Sequence, residues 1–195
     1  ELNAARRLLP KIRTEHPHLK MVIVADALSA NAPFVDLSKE YNFSFIIIAK
    51  ESDHKHLFET FYNANCEVHT MELENGNIGE FSYINNVSLN KSNPDCKVNF
   101  LYFREIKKNG KISTWSWITD ITIEQGNLKL LMRGGRSRWK VENETFNTLK
   151  NQGYNFEHNY GHGNKYLSTI LAMLMMLAFM IDQYSSTHAH FLMQL

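Results

Sequence analysis

Two short runs, Met21–Ala25 (MVIVA) and Phe43–Ala49 (FSFIIIA), are apolar at nearly every position instead of every second one. A strand of that composition has both faces covered, which is the usual state of strands in a parallel sheet. Between the runs, Asn31 supplies a helix cap and Pro33 suits a first helical turn, leading into a helix over Phe34–Tyr41. Strand, helix and strand over this length make a βαβ unit with a right-handed crossover, so the chain belongs to the α/β class. Sites in open α/β sheets gather at the carboxyl ends of the strands, and Asp26 stands at that end of the first run. By turn preference alone the same residue is equally a cap.

From Glu67 to Ile118 the period changes to strand-like alternation, in segments Glu67–Leu73, Glu80–Val87, Lys97–Ile106 and Ile112–Ile118. Asn75-Gly76 and Asn109-Gly110 carry hairpin chemistry, with positive φ expected at both central residues of each turn. The segment Trp115–Ile121 closes the block as a strand, and its Asp120 is an alternative catalytic acid or a structural turn residue. Leu2–His16 has helical spacing, with a solvated basic side bearing Arg6, Arg7, Lys11 and Arg13; Pro10 predicts a kink or break and Pro17 an end. His54–Tyr62 reads as a short helix.

In the stretch Arg136–Lys150 (RSRWKVENETFNTLK), residues Arg138, Glu142, Phe146 and Lys150 recur every fourth position and share one helical stripe. Glu144 points elsewhere. The stripe is a candidate reactive face, or else an ordinary solvated ion pair with Trp139 and Phe146 gripping a core. Arg133, Arg136, Arg138 and Lys140 form the densest cationic cluster, suited to phosphate or to solvent. Leu167–Tyr184 is the most apolar helix. Its uninterrupted part, Ile170–Ile181, is too short for a bilayer, so a buried packing helix and no membrane are expected. The tail after Ser185, with His188 and His190, looks frayed.

Composition excludes more than it selects. The 195 residues carry a net charge of +1, so any nucleic-acid surface must be local. The two cysteines, Cys66 and Cys96, lack metal-finger spacing and read as free thiols in a reducing cytosol. Nine histidines include the pairs His54/His56 and His158/His162, but no cysteine and histidine cluster completes a zinc site. No phosphate-cradling glycine loop, nucleotide motif or Ser-His-Asp order is present.

The Arg-Trp pair at Arg138-Trp139, the valine before Glu142, then Phe146 and Leu149-Lys150 resemble the glutamate-bearing helix of bacterial insertion-sequence DDE transposases. In that family an RNase H-like catalytic domain is interrupted by a β-rich insertion. Its signature is a tyrosine, an arginine three positions on, a glutamate four later and a lysine seven further. Arg138 and Glu142 match; the tyrosine position is Gly135, and Lys150 matches after a one-residue shift. The wording VADALSANAPF resembles the surroundings of the second catalytic aspartate, at Asp26, and the run Asn151–Lys165 resembles one branch of the family.

The resemblance implies an RNase H-like α/β fold with its first strands missing, an inserted antiparallel β subdomain and a C-terminal apolar helix. The divisions are 1–62 and 120–184 for the core, 63–119 for the insertion and 185–195 for a tail. It implies cleavage and strand transfer at transposon ends, with Asp26 and Glu142 as catalytic acids and ligands of a two-ion Mg2+ or Mn2+ site. Arg136, Arg138, Lys140 and Lys150 would contact DNA. The first of the family's three acids has no counterpart, so this C-terminal portion is expected to be inactive or aggregation-prone by itself. Other readings are a remnant that binds DNA or a transposase partner, and a metal-dependent nuclease without strand transfer. The implied partners are terminal inverted repeats, target DNA and a second subunit in a bacterial, nucleoid-associated cytoplasmic dimer.

Overall fold

A computed structural model describes residues 2–157, 161, 163 and 165–192 of the chain. Two compact units are present, Glu1–Arg138 and Trp139–Leu195. The pair His158 and His162 lies outside the described residues.

The first unit is mixed α/β. Its helices are α1 (Leu2–Glu15), α2 (Ala32–Glu40), α3 (Lys55–Asn63) and α4 (Leu128–Lys140), the last two residues of α4 belonging to the second unit. Its strands are β1 (Val22–Ala25), β2 (Ser44–Ile48), β3 (His69–Glu72), β4 (Ile78–Asn90), β5 (Asn93–Ile106) and β6 (Ile112–Thr119). They form one open sheet in the order β1-β2-β6-β5-β4-β3. Only β1 and β2 pair parallel, as strand-helix-strand spacing requires; every other pair is antiparallel. Because β6 pairs with β2, the hairpin block and the parallel pair share one continuous sheet.

Helices cover both faces of that sheet. On one, Phe34 and Val35 of α2 and Leu57, Phe58 and Phe61 of α3 pack on Phe45, Ile47, Phe100 and Ile118. On the other, Leu128, Leu131 and Met132 of α4 pack on Ile46, Leu101, Phe103 and Trp117. The assignment follows the two-residue period of a strand, except in β4. There Phe81 and Tyr83 face α4 while Val87 and Leu89 face α2 and α3, a change of parity caused by an irregularity between Ile84 and Val87. Asn86 takes φ +59° at this bulge and donates its amide to Asn99 Oδ1, while the Asn85 side chain both donates to and accepts from the Ile123 backbone. Extra residues in a strand invert every side chain beyond them.

Three local expectations change. Strand β1 was expected to be covered on both faces, yet Val22 is 49% exposed and the strand ends the sheet, so it has a partner on one side only. Helix α1 runs through Pro10 without ending, and it stops at Glu15 before Pro17. The two hairpin turns have positive φ at Gly76 and Gly110 alone; Asn75 and Asn109 are not left-handed. In both, the glycine amide bonds back to the carbonyl three residues earlier, Leu73 or Lys107, and the flanking pairs Leu73/Asn77 and Lys107/Lys111 close a three-residue loop. The Asn75 and Asn109 side chains instead accept the amides of Asn77 and Lys111. This is a type I turn closed by a glycine bulge, which needs one left-handed residue where a two-residue turn needs two.

The second unit begins with a π-helical segment, Val141–Phe146, followed by α5 (Asn147–Asn151) and α6 (Leu167–Leu192). Leu149 is buried, and Tyr154 joins α6 through a 2.5 Å hydrogen bond to Asp182 and an edge-on contact with Phe179. Helix α6 was expected to be buried. Its Ile170, Met173, Leu174, Leu177, Met180 and Ile181 are exposed instead. Length and composition of Leu167–Ser186 would allow a membrane crossing. The continuous apolar part, Ile170–Ile181, rises only about 18 Å against the roughly 30 Å of a hydrocarbon core.

Candidate functional site

Asp26 follows the last residue of β1, at the carboxyl end of the parallel pair, and is half-buried. Its Oδ1 accepts the Leu28 amide at 3.0 Å, capping a single turn of 3-10 helix over Ala27–Ser29. The capping role is therefore real. The second oxygen of Asp26 has no hydrogen-bond partner among the described residues, so it is open to a metal ion or to a hydrogen-bond donor.

Asp120 stands at a different level of the sheet. The register pairs Ala25 with Ile47 and Ile46 with Thr119, so Asp26 lies level with Ile48 and Asp120 with Phe45. Three residues of strand separate those levels, about 10 Å, with β2 between. Asp120 Oδ1 accepts the Phe45 amide at 2.7 Å and its carbonyl accepts from Asn99, so it extends the β2-β6 ladder beyond its last backbone pair. The two aspartates do not share a site.

Glu142 lies in the second unit, on the π-helical segment, where its carbonyl accepts the Asn147 amide five residues on. Such a turn is wider than an α-turn and recurs at functional sites. Glu142, Asn143, Phe146, Asn147, Lys150 and Phe156 line one open groove of about 530 Å³. Three members of the anticipated stripe thus face the same space. Lys150 is paired with Glu157 at 2.6 Å, and the ring of Phe146 meets that of Phe156 with centroids 6.0 Å apart. Glu144 is directed to Lys140 instead, at 4.0 Å, while Trp139 and Phe146 are exposed and grip no core.

The cationic cluster is largely engaged within the protein. Arg133 pairs with Glu74 at 3.3 Å, Lys129 donates to the Glu72 carbonyl, and Arg136 meets Glu105 at 3.4 Å with its guanidinium 4.8 Å over the Trp115 ring. Glu105 is 3% exposed on its side chain, and its Oε1 accepts from both Asn75 and Asn77. Burial pushes this carboxyl up, but the hydrogen bonds from Asn77 and Asn75 and the charges of Arg136 and Lys107 together hold it below the usual range. Sequence reading missed Glu105. The available signal was an acid on an inward-facing position of a strand, opposite an Asn-Gly-Asn loop.

Two adjacent glycines set α4 on the sheet. A Cβ at Gly135 would lie 2.4 Å from Nε1 of buried Trp117, and one at Gly134 would lie 2.8 Å from Ile46 Cδ1. The tyrosine of the resembled signature has no room at Gly135.

Among the described residues no group of three or more His, Cys, Asp or Glu side chains gathers where it could hold a metal ion. A hard divalent cation takes six or more oxygens, so Asp26 by itself would supply a fraction of a coordination shell. No protein-family model matches the chain, and comparison with curated proteins finds no match.

Proposed function

We propose that the chain is the C-terminal portion of a DDE-type transposase, carrying a partial RNase H-like core made of residues 1–62 and 120–184. The observation that carries this reading is the position of Asp26: half-buried at the carboxyl end of the parallel pair, one oxygen fixed by a cap and the other uncommitted. Support also comes from α2 joining β1 to β2, as the last two strands of that fold would require, and from Glu142, Phe146 and Lys150 sharing a groove. In this reading Asp26 and Glu142 are the metal-holding acids. Divalent ions, when bound, stabilise the attacking and leaving oxygens of a phosphodiester. The protein's own contribution is to fix the Asp26 carboxylate through the Leu28 amide and to present Glu142 beside an apolar wall formed by Phe146 and Phe156.

A second reading is a remnant that binds DNA without cutting it, favoured by the lack of a three-donor cluster among the described residues. The readings part on one set of measurements. Mn2+ binding is followed by titration, and nicking and joining of terminal-repeat DNA by gel, in wild type, Asp26→Asn and Glu142→Gln. A transposase portion binds Mn2+ weakly and loses that binding in both variants, with retained DNA affinity. Mn2+ binding indifferent to both substitutions removes the metal chemistry; DNA binding without Mn2+ binding in any variant leaves the remnant; nicks without joined products indicate a nuclease.

A further inference from the structure

The near-neutral net charge conceals a local surplus. Residues 1–20 carry five cationic side chains, Arg6, Arg7, Lys11, Arg13 and Lys20, against two acids, Glu1 and Glu15; residues 21–195 carry sixteen cations and eighteen acids. Helix α1 divides this surplus by face. Leu2, Ala5, Leu9 and Ile12 pack with Leu37, Phe43, Met21 and Ile23 and bind the helix to the first unit. Arg13 belongs to that inner framework: Nε donates to the Tyr41 carbonyl at 2.8 Å, the other nitrogens donate to the Leu19 and Asn42 carbonyls, and the guanidinium covers Phe43 at 4.3 Å.

Arg6, Arg7 and Lys11 remain on the outside, exposed. Among the described residues no carboxylate is within ion-pair distance of Arg6 or Arg7, and Lys11 has only the solvated Glu15 at 3.9 Å. Such an exposed pair contributes about 0 to 1 kcal/mol and yields readily to a stronger anion. Arg7 and Lys11 are one turn apart, about 6 Å along the axis, and Arg6 flanks them, so three cations present to one side. Arginine forks bind phosphate oxygens in bidentate fashion.

We propose that the outer side of α1 is a docking surface for the phosphate backbone of double-stranded DNA. An anionic membrane is the other large polyanion, but a helix that lies in a bilayer surface inserts its apolar face, and here that face is enclosed by the core. The surface follows from charge and packing; the choice of DNA over RNA rests on the function proposed above.

The test uses the full chain without divalent ions. Anisotropy of a labelled DNA duplex of arbitrary sequence is read between about 50 and 200 mM salt. Each phosphate contact contributes about 0.9 to the slope of log K against log salt, so the triple variant R6A/R7A/K11A should lower the slope by about 2 to 3. Arg7→Lys should keep most of it, and Arg7→Glu, a single exposed change, should weaken binding with the thermal midpoint unchanged. A slope identical in wild type and triple variant, or no duplex binding by wild type, overturns the proposal. So does preferential binding to phosphatidylserine vesicles or to an RNA duplex that depends on the same residues. Salt-dependent duplex binding through α1 with no Mn2+ response at Asp26 or Glu142 would sustain this surface while the transposase reading fell.

Discussion

Arg136 reaches the buried carboxylate of Glu105 at 3.4 Å while lying over the Trp115 ring, so one side chain of α4 neutralises an acid on β5 and covers an aromatic on β6. Glu105 keeps the Asn75 and Asn77 amides when Arg136 is removed, and Arg136 is 41% exposed, so the cost is below that of severing a fully enclosed pair. Arg136→Ala should destabilise the first unit by about 1 to 2 kcal/mol, and Glu105→Ala by more, since it strands two amides. Urea unfolding of the single and double variants checks this, the double costing less than the sum.

The same carboxyl sets an acid dependence. Its folded pKa lies below the unfolded value, so the stabilisation is present above the unfolded pKa and disappears as pH falls through the folded one. Glu105→Gln should flatten the loss of stability below about pH 4, the ordinary carboxylate range. Urea midpoints measured across that range check it.

His54 adds a second acid dependence, closer to neutrality. It is 7% exposed, and its Nδ1 is a buried nitrogen with no hydrogen-bond partner among the described residues. Burial pushes its pKa down, against an opposing pull from Asp53. The unfolded chain therefore takes up the proton first, and stability falls as pH drops below the ordinary histidine value of about 6.5. His54→Gln should lessen the decline of the thermal midpoint between about pH 7 and 5 by roughly a few degrees, read by circular dichroism.

Gly135 decides how closely α4 approaches the sheet. Alanine would gain about 1 kcal/mol of helix propensity, but its methyl would meet the Trp117 indole at 2.4 to 2.8 Å, and Trp117 is enclosed by the core. Overpacking of that kind costs about 1 to 3 kcal/mol, so Gly135→Ala should be net destabilising, whereas Gly126→Ala, with open space around it, should not be. Paired urea titrations distinguish the two.

Gly110 has open space for a methyl yet takes φ +78°. Gly110→Ala should cost about 1 kcal/mol from backbone strain alone, and Gly110→Asn less, because asparagine tolerates that region. The β5-β6 amides should show the change in hydrogen-exchange protection.

Much of this architecture was legible in the residues. Continuous apolar runs against alternating ones separated the parallel pair from the hairpins, and Asn31, Pro33, Gly76 and Gly110 marked a cap and two turns, because each signal depends on neighbours in sequence. The sequence by itself also put an acid at the end of β1 and left Arg6, Arg7 and Lys11 off the apolar stripe of α1. Tertiary structure alone decided the rest. The parity change at Asn85-Asn86 depends on partners at Asn99 and Ile123, and the use of Arg136 depends on an acid 31 residues away. Which faces of Trp117 and Gly135 meet is set by how a helix lies on a sheet. Local pattern cannot report these contacts: their energies belong to pairs that only the folded chain brings within reach, and residues distant in sequence carry no record of each other.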